Sequence, residues 1–227
     1  MPLWNDDEDL FALARRELFT AVVGDVMDKL GLLHQFLPPR IRPLAPDMVV
    51  IGRAMPVRAE DIAATEDAAG ESSKPFGLML EALDDLRRNE VYVTAGPSPR
   101  MALWGELMST RAMKLGAVGA VLDGYSRDSH AILALRFPTF SRGSYAQDIA
   151  PRGRVLDFRV GIEIEGVPVR PGDIIFGDVD GVLCVPADAA EQVLSRALEK
   201  ARGEKRVRDA LREGSSAVAA FEKFGIM

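Results

Sequence analysis

Three charged side chains near the middle of the sequence have the types that bind cations and small oxyacids: Glu106, Arg127 and Asp128. The carboxylates of Glu106 and Asp128 are hard oxygen ligands, which Mg²⁺ and Mn²⁺ accept directly or through water. The Arg127 guanidinium is a forked donor that suits a carboxylate or the oxygen of a developing enolate. Brought together, these groups would form one pocket for a cation and an oxyacid.

A predicted strand–helix–strand unit carries these side chains. Residues 90–95 form a short strand, residues 104–115 form a helix closed by Gly116, and the apolar run 117–122 is typical of a strand buried on both faces. The two strands should be parallel, with a right-handed crossover. The start of the helix and the loop 123–128 should therefore meet at the edge where open α/β sheets bind ligands.

The first turn of the predicted helix also belongs to the candidate site. It is formed by Gly105, Glu106, Leu107 and Met108. Its free amides at Leu107 and Met108 can hold a carboxylate. Gly105 and the loop glycine Gly124 would let a ligand approach the backbone. This edge of the sheet therefore offers backbone donors as well as charged side chains.

Structural interpretations compete with each of these assignments. Glu106 in a first turn stabilises the helix dipole without any ligand. Arg127 beside Asp128 could be a surface ion pair that contributes little. Taken singly, each residue favours the structural interpretation, whereas their predicted convergence on one edge favours function.

The remaining pattern predicts an α/β protein with a partly antiparallel second half. Residues 7–19 read as an amphipathic helix. Hairpin turns are predicted at Glu165-Gly166 and at Asp180-Gly181. A long helix from about 188 to 212 is expected to be interrupted by Gly203. Residues 60–75, which read as a loop or an irregular helix, and residues 125–145 are expected to shape the pocket.

Composition excludes several other kinds of site. The 227 residues include one cysteine and two histidines, so an internal disulfide and a cysteine-rich zinc site are excluded, and a multi-histidine site is disfavoured. A net charge of −6 gives no support for binding nucleic acid or an anionic membrane. No apolar run approaches a membrane span, and the acidic beginning is unlike a signal peptide, so we expect a cytoplasmic protein.

The stretch WGELMSTRAMKLGAVGAVLDGYSRD resembles the RraA-like family, which includes 4-hydroxy-4-methyl-2-oxoglutarate aldolases and the regulator of ribonuclease activity A. Aldolase members carry an acidic residue, twenty intervening residues and then Arg-Asp, as in Glu106 and Arg127-Asp128. The family more often has Asp at the first position. Two further segments, VRPGDIIFGDVDGVLCVP and EKARGEKRVRDALREG, support a similarity that spans roughly residues 20–225.

The resemblance implies a fold, an assembly and a cofactor. It implies one domain over residues 1–227, built as a swivelling β/β/α sandwich, with an N-terminal helix over about 1–19 and a C-terminal helical tail over about 188–227. Similar aldolases assemble as trimers or pairs of trimers, with the active site between subunits. That site needs Mg²⁺ or Mn²⁺.

The resemblance also implies residue roles. Asp128 would ligate the metal, and Glu106 would act through metal-bound water and assist proton transfer. Arg127 would stabilise the pyruvate enolate. The amides of Leu107 and Met108, next to Gly105, would hold the pyruvate carboxylate.

Two further residues extend these implied roles. Glu204, on the C-terminal helix of a neighbouring subunit, is the best match for a further acidic group at the metal. Apart from the resemblance, Arg142 in PTFSRG is a candidate for binding a distal carboxylate of the substrate, and a purely structural role is its alternative.

The leading hypothesis is a divalent-metal-dependent aldolase that cleaves 4-hydroxy-2-oxo acids to pyruvate and can decarboxylate oxaloacetate. The first alternative is a regulator without catalysis that binds a ribonuclease or another protein. The second alternative is a related metal-dependent lyase or hydratase acting on sugar acids. The acidic residue at position 106 beside Arg127-Asp128 favours the enzyme, because a pure binding protein has no need of both carboxylates.

Overall fold

The computed structural model describes residues 3–62 and 74–225, which form a mixed α/β arrangement. The segment expected at 60–75 lies largely outside these described residues. The helices are α1 Asp7–Glu17, α2 Thr20–Lys29, α3 Met79–Asp84, α4 Glu106–Leu115, α5 Ser129–Leu135, α6 Ala190–Arg212 and α7 Ala217–Phe224. The strands are β1 Arg42–Pro43, β2 Val50–Asp61, β3 Glu90–Ala95, β4 Ala102–Trp104, β5 Gly119–Leu122, β6 Tyr125–Ser126, β7 Thr139–Ser141, β8 Gly153–Phe158, β9 Ile162–Ile164, β10 Val167–Val169, β11 Ile174–Asp178 and β12 Gly181–Val185.

The main sheet has the strand order β1-β7-β5-β3-β2-β11-β12, and β8 pairs with the distal part of β2. Strands β2, β3, β5 and β7 are parallel neighbours, whereas β11, β12 and β8 pair in the antiparallel sense. The prediction of an α/β protein with a partly antiparallel half is therefore confirmed.

The central strands are buried on both faces, as their apolar runs predict. In β5, Ala120 and Leu122 pack into a cluster with α3, α4 and α5, whereas Val121 packs into a second cluster with the β9–β10 hairpin. Successive side chains of a strand point to opposite faces, so this division places packed layers on both sides of the sheet.

The predicted strand–helix–strand unit is present, with one added strand. Strand β3 has the predicted bounds, and it is parallel to β5. The helix begins at Glu106 rather than Trp104, because residues 102–104 form β4, which pairs with β6 in a small separate sheet. Gly116 ends the helix in the left-handed conformation, with φ 83°, as predicted.

The two hairpin predictions have different outcomes. Glu165-Gly166 is the β9–β10 turn, with positive φ at both residues, as a type I′ turn requires. The β11–β12 turn is Val179-Asp180, one residue earlier than predicted, because Asp178 pairs with Gly181. The buried Asp178 carboxylate accepts hydrogen bonds from Thr20 and from the Asp180 amide, and this anchors the turn at that register.

The C-terminal helices are part of the packed structure. Helix α6 is continuous for 23 residues, so the predicted interruption at Gly203 is wrong. A glycine inside a helix costs only about 1 kcal/mol relative to alanine. Val193, Leu194, Ala197 and Leu198 of α6 are buried with α1, α2 and strands β11 and β12, and this packing outweighs that cost.

Candidate functional site

The pairing of β4 with β6 brings the two halves of the candidate site together. The Arg127 amide donates to the Trp104 carbonyl at 2.9 Å. Next to this bond, the Glu106 amide donates to the Asp128 carboxylate, with N and Oδ2 3.3 Å apart. A Cβ placed on Gly105 would lie 2.8 Å from the same oxygen. The predicted convergence of the helix start with the Arg-Asp pair is therefore confirmed.

A buried hydrogen-bond chain holds the first turn of α4 in place. The Trp104 indole N–H donates to the Ser109 hydroxyl at 2.7 Å, and that hydroxyl donates to the Gly105 carbonyl at 3.1 Å. The Trp104 ring stacks on Phe137, with centroids 5.9 Å apart. Amides of a first turn have no acceptor inside their helix, so those of Leu107 and Met108 suit an anionic ligand.

Asp128 has an unusual backbone conformation. Its φ of 56° lies in the left-handed region, which Asp adopts more readily than most residues. It occupies the N-cap position of α5, but its carboxylate bonds to the amide at the start of α4. Asp128 therefore links the starts of two helices, and its side chain is 48% exposed.

Asp148 is a charged residue at this site that the sequence patterns did not predict. Its Oδ2 lies 3.1 Å from Nη1 of Arg127, whereas Nε of Arg127 is 3.8 Å from the Asp128 carboxylate. The loop that carries it is fixed to β4 by a hydrogen bond from the Ala102 amide to the Gln147 carbonyl at 2.7 Å. No motif around Asp148 signals this role, because the contact depends on a long-range backbone pairing.

The site opens into a cavity of about 210 Å³. Gly105, Leu107, Met108, Arg127 and Asp128 all line it, so five predicted site residues share one cavity. The rest of the lining comes from the following residues: Phe76, Met79, Leu80, Leu83, Ala102, Leu103, Trp104, Asp148 and Ile149. The apolar residues of 76–83, on and before α3, cover one side of the site, and sequence reasoning did not place them there.

Three predicted site residues lie outside this lining. The Glu106 carboxylate accepts a hydrogen bond from the Thr110 hydroxyl at 2.7 Å. Arg142 is largely buried and pairs with Asp123 at 2.6 Å. Glu204 lies on α6 and accepts a hydrogen bond from Lys200. Within one chain, the structure does not bring the side chains of these three residues into the cavity.

Metal ligands are sparse within a single chain. Residues 3–62 and 74–225 contain no group of three or more His, Cys, Asp or Glu side chains placed to hold a metal ion. The carboxylates of Asp128 and Asp148 are the acidic side chains that line the cavity. A cation at this site would therefore draw further ligands from water, from substrate or from another chain. In the same described ranges, no helix has the length and apolar character needed to cross a membrane.

Comparisons with known proteins agree with this architecture. The family model for RraA-like proteins, described as Aldolase/RraA, matches residues 20–184. A relative from Halalkalibacterium halodurans, named "Putative 4-hydroxy-4-methyl-2-oxoglutarate aldolase", is 32% identical over 208 residues, which cover 91% of this chain and 90% of that protein.

Solved structures show the same fold. An uncharacterized protein from Pseudomonas syringae pv. tomato has a TM-score of 0.83 at 26% identity, with 99% of this chain and 96% of that chain covered. RraAS2 of Streptomyces coelicolor, described as an unusual member of the RNase ES inhibitor RraA family, has a TM-score of 0.75 at 21% identity, with 90% and 98% covered. The predicted RraA-type fold is therefore confirmed, and this chain belongs to the RraA-like family.

Proposed function

We propose that this chain is a divalent-cation-dependent lyase that cleaves 4-hydroxy-2-oxo acids to pyruvate and decarboxylates oxaloacetate. One observation carries the proposal: the Arg127 guanidinium, the Asp128 carboxylate and the first turn of α4 line a single cavity. The aldolase name of a relative that is 32% identical across nine-tenths of both chains supports the same reaction class.

In the proposed reaction, the substrate C4 hydroxyl loses its proton and becomes a carbonyl as the C3–C4 bond breaks. The electron pair of that bond moves to the pyruvate half, whose C2 oxygen becomes an enolate oxyanion. Proton uptake at C3 then gives pyruvate. Charge therefore develops on the C2 oxygen, and a catalyst must stabilise it there.

Arg127 is the proposed donor to that oxyanion. Its contacts to Asp148 at 3.1 Å and Asp128 at 3.8 Å leave guanidinium N–H groups available at the cavity. The amides of Leu107 and Met108 would hold the C1 carboxylate at the positive end of α4. Glu106 is the proposed proton carrier, acting through a water because its side chain does not line the cavity.

The residues present fit a cation that keeps most of its ligands from water and substrate. Mg²⁺ is commonly bound in this way by one or two protein carboxylates, a number that Asp128 with Asp148 can supply. Bound there, the cation would act as a Lewis acid on the 2-oxo group. Glu204, supplied by a second copy of the chain in a trimer or hexamer, is the proposed further acidic ligand.

The test is pyruvate release, followed by coupling to lactate dehydrogenase and NADH. Wild-type protein should release pyruvate from 4-hydroxy-4-methyl-2-oxoglutarate and from oxaloacetate with Mg²⁺ or Mn²⁺, and a chelator should abolish the release. Asp128→Ala should lower kcat/KM more than about 100-fold. Asp209→Ala is the matched control, because Asp209 is 54% exposed on α6 and lies outside the cavity lining.

The competing function is a protein-binding regulator. It draws on the likeness to RraAS2, which at 21% identity concerns the fold alone. Such a protein would bind its partner equally well after Asp128→Ala and would release no pyruvate from any 2-oxo acid tested with either metal. That pair of results would contradict the lyase proposal.

A further inference from the structure

A second, larger cavity opens at the far ends of the two helices that begin at the candidate site. Its volume is about 650 Å³, and its lining comes from α1, from the segment before β2 and from the ends of α4 and α5. Asp128 directly precedes α5 and Arg136 directly follows it, so about 12 Å of helix separates them. This cavity, which we call the Arg15–Arg136 groove, is therefore separate from the candidate site.

Two arginines, Arg15 and Arg136, give the groove its positive charge. Nη2 of Arg15 donates to the Ile51 carbonyl at 3.2 Å, and this bond fixes the guanidinium beside β2. Partial burial lowers the pKa of Arg15, because the cation loses some of its hydration. Among the residues that the structure describes, neither arginine pairs with a carboxylate. An anionic ligand would compensate for this lost hydration.

Arg136 stands at a backbone position that favours glycine. It is the C-cap of α5, with a φ of 54° in the left-handed region. Gly116 ends α4 in the same region, where a glycine has no Cβ to strain the backbone. Arg136 is exposed, so packing of its side chain does not explain the choice of an arginine. A cation there favours the helix dipole, and it also supplies a forked donor to the groove.

The rest of the groove is largely apolar. Met113 and Leu133 are 44% and 40% exposed, and the buried side chains of Met48 and Phe137 belong to the same lining. Asp47 is the acidic residue of this lining, so its two arginines leave a net charge of about +1. Apolar walls with a few charged groups are typical of sites for small organic molecules.

We propose that the Arg15–Arg136 groove is a second ligand site, which binds a small organic acid with one carboxylate and an apolar tail. The carboxylate accepts hydrogen bonds from the two guanidinium groups. The tail packs against Met113 and Leu133, where it leaves water. This binding does not require the lyase reaction, and the ligand of this groove need not be a substrate.

Methionine methyl groups can report which cavity is occupied. Met48 and Met113 line the groove, whereas Met79 and Met108 line the cavity at the candidate site. Protein with isotopically labelled methionine methyl groups is titrated with hexanoate, hexanamide and acetate, and followed by NMR. Hexanoate should shift the Met48 and Met113 signals saturably.

The other two probes separate the contributions of charge and tail. Hexanamide lacks the negative charge and acetate lacks the tail, so each should bind at least about tenfold more weakly than hexanoate. Hexanoate shifts confined to Met79 and Met108, the absence of saturable shifts, or equal binding of hexanamide would overturn the inference.

Variants test the two arginines directly. Arg15→Gln and Arg136→Gln should each weaken hexanoate binding, measured from the Met113 signal, at least about tenfold. Arg16→Gln is the matched control, because Arg16 is the next residue on α1, is 69% exposed and does not line the groove. Arg127→Met should also leave this binding unchanged, because Arg127 lines the other cavity. Unchanged binding in Arg136→Gln, or an equal loss in Arg16→Gln, would contradict the proposed site.

A second copy of this chain is the competing occupant of the groove. In that case hexanoate would not shift the Met113 signal of the native assembly, and Arg136→Gln would change the molar mass measured by light scattering. That pair of results would overturn the inference. Loss of hexanoate binding in Arg136→Gln at an unchanged molar mass would support it.

Discussion

Two arginine–carboxylate clusters in this molecule differ in how fully the guanidinium donors are used. In the first cluster, Arg159 donates to both carboxylate oxygens of Glu90, at 2.7 and 2.9 Å, and to the carboxylate and carbonyl of Asp85. Glu90 is buried at the start of β3. The hydrogen bonds to Glu90, followed by those to Asp85, raise the pKa of Arg159 above its usual range.

The second cluster uses the same residue types and leaves donors open. Arg127 is 39% exposed and has a single carboxylate contact within hydrogen-bond distance, to Asp148 at 3.1 Å. Its other acidic neighbour, Asp128, is 3.8 Å away. A cluster in which every guanidinium nitrogen donates connects elements of the fold, whereas a guanidinium with unused donors at a cavity can bind an oxyanion.

Removing Arg159 should have the largest effect, and this effect should be on the free energy of unfolding. Arg159→Met leaves the buried Glu90 carboxylate without a cation, with the Arg87 amide still donating to it, so we expect the free energy of unfolding to fall by about 3–5 kcal/mol. Urea denaturation measures this change. The double variant with Glu90→Gln should recover part of the loss, since no buried charge then remains. A loss below about 1 kcal/mol would show that the Arg159 cluster contributes little to stability.

Removing Arg127 should lower the catalytic rate rather than the stability. Arg127→Met removes the proposed oxyanion donor, so kcat/KM for pyruvate release should fall about 10²- to 10³-fold. The free energy of unfolding should change by less than about 1 kcal/mol, because the ion pairs of Arg127 are partly exposed. A variant with normal activity and lowered stability would reverse the assignment of the two clusters.

A smaller catalytic effect is expected from Gly105→Ala. The added Cβ would meet Oδ2 of Asp128 at 2.8 Å, so that carboxylate must move. We expect about a tenfold loss in kcat/KM, because a small displacement of a catalytic group is costly. Gly161→Ala is the matched control, since its added Cβ would meet no atom of the described residues within 4 Å beyond its chain neighbours. Equal activity in the two alanine variants would contradict a role for the Asp128 position.

The smallest expected effect on the protein concerns Cys184, a buried thiol beside Asp173. Burial, and then the Asp173 carboxylate, raise the pKa of this thiol. Because the unfolded thiol ionises near pH 8.5, the thiol's contribution to stability should be full below that pH and decline as pH rises above it. At pH 8, iodoacetamide should label folded protein at least about 100-fold more slowly than urea-unfolded protein. Equal labelling rates would mean that Cys184 is accessible.

Much of the site could be predicted from sequence because its geometry follows from two local patterns. The apolar runs of β3 and β5 specify parallel strands, and parallel strands place the start of α4 beside Arg127-Asp128. The three residues of β4 are too few to give a periodic pattern, so the helix start was predicted two residues early. Helix propensity predicted a break at Gly203, and packing of α6 against the core overrode it.

The rest of the site depends on contacts between distant segments. Asp148 reaches Arg127 through a backbone hydrogen bond between its loop and β4. Part of the apolar lining of the cavity comes from residues 76–83, whose helical spacing predicts a buried face without indicating what that face covers. Arg142 was predicted to bind substrate from its type alone, but the structure pairs it with Asp123. Such pairings are set by the tertiary fold and leave no local signal.

Proton exchange on pyruvate tests the central claim most directly, because it requires enolate formation and no particular C4 substituent. The measurement is loss of the pyruvate methyl signal by proton NMR in D₂O with protein and Mg²⁺ or Mn²⁺. Wild-type and Asp209→Ala protein should accelerate the exchange, whereas Arg127→Met and Asp128→Ala should lower it more than about 100-fold. Exchange no faster than in protein-free buffer, or equally fast in Asp128→Ala, would contradict an enolate site at Arg127 and Asp128.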